Sequence, residues 1–158
     1  MKKILLTAAA VFAFSFANAQ DTKFGAKAGL DNVSVSGGGE SMTGFFIGGT
    51  AEFGLVDKIS LQPGVNYHSA SKNGYNLSYL SVPVLFKYKA AEKINLLAGP
   101  SLFYNMDSKV TEDKSTFNLQ LGGSYDITEN ISIEPSYSLG LTGTVKVNHF
   151  MIGLGYKF

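Results

Sequence analysis

Every second residue is apolar in eight successive stretches of this chain, roughly 23–33, 43–55, 59–67, 77–88, 94–104, 116–127, 131–141 and 146–158. That period belongs to a β-strand with two unlike faces; a helix would repeat every 3.6 residues. Each stretch is close to the ~9–11 residues that a tilted strand needs to cross a bilayer. On one face stand Phe24, Ala26, Ala28 and Leu30, then Phe45, Ile47, Ala51 and Phe53, then Leu61, Val65 and Tyr67, then Leu80, Val84, Phe86 and Tyr88. The later stretches continue it with Leu96, Leu102, Tyr104, Phe117, Leu119, Leu121, Tyr125, Ile133, Tyr137 and Leu139, and end with Phe150, Ile152, Leu154, Tyr156 and Phe158. No charged residue and no Ser, Thr, Asn, Gln or His interrupts that face.

The interleaved face is small and polar, rich in Gly, with few larger apolar residues. Its charged members are Lys27, Glu52, Lys87, Asp126, Glu134 and Lys157, three of each sign. A soluble sandwich also alternates, but its outer face is crowded with large charged residues. Only 16% of this chain is charged, against about 25% in an ordinary soluble domain. A soluble ligand-binding barrel would turn the apolar face inward. Thirteen Phe and Tyr side chains on that face overfill an eight-stranded interior. The apolar face therefore meets lipid, and the polar face lines a narrow lumen where buried charges must pair.

The connections agree. Val56–Lys58, Lys89–Lys93 and Thr128–Asn130 are short, while Ser34–Met42, His68–Asn76 and Asn105–Ser115 are longer and polar, with a short one at Thr142–Val145. Short turns on one rim and longer loops on the other are the outer-membrane arrangement, with the short side periplasmic. Aromatic side chains then fall into two belts, Phe24, Phe53, Tyr88, Tyr125, Tyr156 and Phe158 near the inner rim and Phe45, Tyr67, Tyr104, Phe117 and Phe150 near the outer one. The expected fold is all-β: an eight-stranded antiparallel up-and-down transmembrane β-barrel. Pro63, Pro83, Pro100 and Pro135 fall inside the strands, where each removes a ladder donor. Bulges or local widening are expected there.

Residues 1–19 read as a signal peptide. Lys2 and Lys3 lead an apolar run from Ile4 to Phe16, and Ala17-Asn18-Ala19 supplies the small residues before a cut at Gln20. The barrel domain is then 20–158, exported through the inner membrane. Zero cysteines remove disulfides, thiolate metal sites and cysteine nucleophiles. All 13 basic residues are Lys and the formal net charge is +1, which argues against a nucleic-acid partner.

Three segments carry a family resemblance: Leu61-Gln62-Pro63-Gly64-Val65-Asn66-Tyr67, the run from Tyr79 to Tyr88 through Pro83, and Ala98-Gly99-Pro100. With them the mature chain resembles the small outer-membrane barrel domains of the PorT-like family, similar in shape to the OmpA and OmpX barrels. The family's Pro-bearing strands match these segments, although this chain has Gly64 where the family carries an acid. The ending Phe150-x-Ile152-x-Leu154-x-Tyr156-x-Phe158 resembles the C-terminal signal read by the outer-membrane assembly machinery. The resemblance implies place and shape rather than an activity.

Chemistry is sparse. His68 and His149 share the inward phase near the outer rim, but strands 3 and 8 are not neighbours and no third ligand stands at metal-site spacing. They are expected to be rim residues meeting water or a loop. Ser136, Ser138 and Glu134 lie on the strand beside His149, which raises a hydrolase triad, with a polar lumen lining as the plainer reading. Lys27 and Glu52 are on adjacent strands, as are Glu134 and Lys157, so the six lumen charges are expected to close the lumen rather than conduct. Ser36–Glu40 lacks the phosphate-loop pattern and reads as a flexible outer loop. The mixed charges of Asp107, Lys109, Glu112, Asp113 and Lys114 suit a solvated loop, with weak divalent-cation or lipopolysaccharide contact as the other reading.

The function expected is non-enzymatic, with no cofactor: a structural or loop-display barrel with a plugged polar lumen. The alternatives are a narrow channel, a lipid-modifying outer-membrane enzyme and an accessory part of a secretion machine. Expected partners are outer-membrane lipid and lipopolysaccharide, the outer-membrane assembly machinery and periplasmic chaperones. The loop ligand is not specified by the residues.

Overall fold

The computed structural model describes residues 22–36, 41–72, 74–106, 114–144 and 146–158. The signal segment with Ala17, Ala19 and Gln20, the first loop from Gly37 to Glu40, and Asp107, Lys109, Glu112 and Asp113 lie outside the described residues. Eight strands follow in chain order: β1 Thr22–Val35, β2 Met42–Val56, β3 Ile59–Lys72, β4 Tyr75–Lys89, β5 Ile94–Asn105, β6 Ser115–Asp126, β7 Ile131–Gly140 and β8 Val147–Lys157. Each pairs antiparallel with the next, and β1 pairs with β8 to close the barrel.

Alternation sets the two surfaces. Outward positions such as Leu30, Ile47, Phe86, Leu121 and Leu154 are exposed, forming a continuous apolar band. Inside, Phe46, Leu85, Leu97, Phe103 and Met151 are buried and make an apolar core across the lumen. Glycines let the wall curve around that core. A Cβ at Gly29 would collide with the Ile152 carbonyl, and one at Gly153 would meet the Phe46 ring at 2.6 Å.

β3 and β4 run further outward than their composition suggests. Ser69 to Lys72 pair with Tyr75 to Ser78, so most of the expected loop from His68 to Asn76 is a hairpin arm. Its small polar residues lie beyond the apolar band, where pairing continues without lipid to enforce alternation. Gly74, at φ 83, adopts the left-handed conformation that a tight hairpin turn uses.

The prolines interrupt pairing without shifting it. Pro63 pairs with Val84, Pro83 with Ser101, Pro100 with Leu119 and Pro135 with Ile152, all on the following strand. Toward the preceding strand the ladder is broken, as between Thr50↔Gly64 and Phe53↔Leu61, and then resumes in the same register. A missing N–H removes a bond but adds no residue, so the expected bulges do not form at these sites. A register shift does occur at Gly54/Val56, beside the first short turn.

Candidate functional site

The lumen is layered. Toward the short turns lies an ionic layer, and all six charged residues expected there take part. Lys27 Nζ lies 3.4 Å from Glu134 Oε2, Lys87 Nζ 2.8 Å from Glu52 Oε2, and Lys157 Nζ 3.1 Å from Asp126 Oδ1. The partners are not those that adjacency suggests: Lys27 bonds across to β7, and Lys157 to β6. Each ion pair skips one strand, and that strand presents a small residue in the gap. Gly155 separates Lys27 from Glu134, Ser60 separates Glu52 from Lys87, and Ser132 separates Asp126 from Lys157. A Cβ at Gly155 would sit 3.0 Å from Glu134 Oε1. Long Lys and Glu side chains therefore reach over a small neighbour in a tightly curved wall, which pairing by sequence adjacency overlooks.

Neutral groups complete the layer. Ser60 and Ser132 hydroxyls donate to Glu52 at 2.8 Å and to Glu134 at 3.0 Å, and Asn95 Nδ2 donates to Asp126 at 3.1 Å. Above it, a cavity of about 20 Å³ is bordered by Lys27, Asn66, Glu134 and the apolar core, and a second of about 10 Å³ lies beside Glu52 and Gln62. The first has room for about one water, and the second for one at most.

Toward the loops lies a second polar cluster. Asp31 on β1 sits between the two histidines, with Oδ2 2.9 Å from His68 Nδ1 on β3 and 3.0 Å from His149 Nδ1 on β8. All three residues are fully buried, so neither histidine is a rim residue meeting water or a loop. The third metal-ligating side chain that sequence spacing fails to supply is present: β1 stands between β8 and β2 in the closed ring, and Asp31 meets His149 on β8 and, past β2, His68 on β3. Sequence reasoning misses Asp31. Its signal is phase, since it follows Lys27 by four residues and shares its inward face.

Aromatic rings fix the imidazoles. Phe103 stacks on His149 with centroids 4.4 Å apart, Tyr79 meets it edge-on at 5.5 Å, and Phe46 stacks on His68 at 5.7 Å. His68 Nε2 lies 2.8 Å from Ser81 Oγ. His149 Nε2 has no hydrogen-bond partner among the described residues, and neither has Ser138 Oγ on the residue directly opposite. Ser136 accepts a bond from Gln120 Nε2 at 3.3 Å.

The C-terminal residues occupy the closing seam. Phe150, Ile152, Leu154, Tyr156 and Phe158 all face outward and are exposed. The Phe158 amide donates to the Phe24 carbonyl at 2.9 Å, and its ring meets Tyr156 edge-on at 5.4 Å.

A family model described as the outer membrane protein beta-barrel domain matches residues 4–158. The chain is similar to Ail of Yersinia pestis in a phospholipid bilayer nanodisc, with a TM-score of 0.60 at 16% identity over 87% of this chain and 100% of that one. Neisserial surface protein A gives 0.58 at 18% identity, over 87% of this chain and 97% of that one. The N-terminal β-barrel domain of Pseudomonas aeruginosa OprF gives 0.51 at 14%, over 85% and 97%. No curated protein matches the sequence. At these identities the likeness carries the fold alone.

Proposed function

This chain belongs to the outer membrane protein beta-barrel domain family, and from that membership we propose a rigid, non-catalytic outer-membrane platform with a closed lumen. Its outer connections then do the contacting, since loops on a rigid scaffold are where such contacts concentrate. Within the family we assign it to the PorT-like barrels, on the segments around Pro63, Pro83 and Pro100. A cleaved signal peptide would carry it across the inner membrane. Periplasmic chaperones and the outer-membrane assembly machinery would deliver it, with the Phe150 to Phe158 alternation as the assembly signal. Outer-membrane lipid and lipopolysaccharide would surround it.

The observation that carries closure is the ionic layer, where three ion pairs reach over intervening strands below a packed apolar core, with water-sized cavities beside them among the described residues. Balanced charges at this spacing attract each other more strongly than they attract passing ions. Against a hydrolase stands the burial of Ser138: an enzyme must admit its substrate to the nucleophile, and this hydroxyl is fully enclosed.

Conductance tests closure. The purified barrel, inserted into a planar lipid bilayer under an applied potential, is expected to give a flat current trace. Discrete current steps that disappear in Lys87→Ala would replace the platform with a narrow channel.

A further inference from the structure

Asp31 stands apart from the other lumen acids. Glu52, Asp126 and Glu134 each have a lysine, whereas Asp31 is fully buried with no lysine partner among the described residues. A buried carboxylate needs a compensating positive charge. What faces it instead is two imidazole nitrogens, and all three donor atoms lie within 4.8 Å of one another.

We propose that Asp31, His68 and His149 bind a divalent transition-metal ion of the zinc class. The dimensions fit. Bonds of about 2.0–2.1 Å in a tetrahedral site put neighbouring ligand atoms about 3.3–3.4 Å apart. The Asp31 oxygens stand 2.9, 3.0 and 3.3 Å from the two Nδ1 atoms, and the three donor atoms all lie within 4.8 Å of one another, so an ion would be seated by the side chains adjusting around it. Two imidazoles and one carboxylate suit zinc, cobalt, nickel or ferrous iron, whereas calcium and magnesium ask for mostly oxygen ligands.

The surroundings suit metal-bound imidazoles. Ligation through Nδ1 leaves the proton on Nε2, which then donates outward and fixes ring orientation. For His68 the acceptor is in place, Ser81 Oγ at 2.8 Å. For His149 the tautomer calls for an acceptor, and its ladder partner Ser138 carries a buried hydroxyl with no hydrogen-bond partner among the described residues. The stacked rings of Phe46 and Phe103 hold both imidazoles before the ion arrives, lowering the ordering cost of binding. The ion would tie β1, β3 and β8 together across the closing seam, and so bind the folded barrel far better than the unfolded chain.

The test is clean because the chain has only two histidines and no cysteine. Untagged full-length barrel is refolded in detergent with a chelator, and separately with Zn²⁺ or Co²⁺, then desalted. About one equivalent of Zn²⁺ per chain should be retained, Co²⁺ should show the visible bands of a tetrahedral nitrogen and oxygen site, and the zinc-refolded barrel should unfold at higher denaturant. His149→Gln should abolish retention, and Ser81→Ala should weaken it by roughly 10- to 100-fold. A folded wild-type barrel that keeps no Zn²⁺ and gives no tetrahedral Co²⁺ spectrum overturns the proposal, whatever the variants do. Equal retention by wild type and a folded His149→Gln barrel overturns it too.

Discussion

Glu52→Ala is expected to lower the stability of the barrel by about 3 kcal/mol, the low end of what stranding a buried charge costs, because Glu52 itself is 20% exposed while its lysine partner is buried. The charge left behind is Lys87, only 5% exposed, whose ammonium now bonds Glu52 Oε2 at 2.8 Å. The Ser60 hydroxyl also loses its acceptor. Unfolding of the refolded barrel by urea in lipid vesicles reads the effect directly. A second substitution sharpens the result: adding Lys87→Met to Glu52→Ala should recover most of the loss, because it removes the stranded charge rather than restoring a bond. Asp126→Ala should cost far less, about 1 kcal/mol or below, since Asp126 and Lys157 are each 21% exposed and Lys157 can turn to rim water. Equal losses at the two positions would mean that the lumen is wetter than its packing suggests.

Leu121→Arg addresses the other face. Leu121 stands at the middle of β6, exposed outward, with Ala98 and Tyr137 as its ladder neighbours. An arginine at the bilayer midplane costs about 2–4 kcal/mol, and at the interface only about 0–1. At about 1.4 kcal/mol per tenfold, the folding constant in vesicles should fall by roughly 30- to 1,000-fold. Leu141→Arg, just past the end of β7 toward the loops, should be nearly silent. A barrel whose apolar face met water would show no such dependence on depth, and Leu121→Arg would be harmless or would raise solubility.

Much of this architecture is legible in the residues because lipid is an unforgiving solvent. Across a membrane-spanning strand one face must stay apolar, so Phe45, Ile47 and Phe53, or Phe117, Leu119 and Leu121, announce both strand and phase. The alternate face is equally plain, and all six lumen charges from Lys27 to Lys157 lie inside the wall. Legibility fails where that constraint lapses. Ser69 to Ser71 and Asn76 look like loop by composition, yet they lie in paired strands beyond the apolar band. It fails again where partners depend on curvature, since Lys27 meets Glu134 over Gly155, a choice invisible without the register. The Asp31 cluster is the hardest case. Its members come from β1, β3 and β8, and only the closed ring, with β1 paired to β8, brings them together.

Whether the closed barrel sits with its apolar face in lipid is decided by one gel. Detergent-extracted envelope is run in SDS with and without boiling, with the outer-membrane and soluble fractions side by side. The protein is expected in the outer-membrane fraction, with an unboiled band that moves to a different position after boiling, as a detergent-resistant barrel unfolds. One unchanging band, with the protein released in the soluble fraction, would contradict it and place the apolar face inside a soluble barrel.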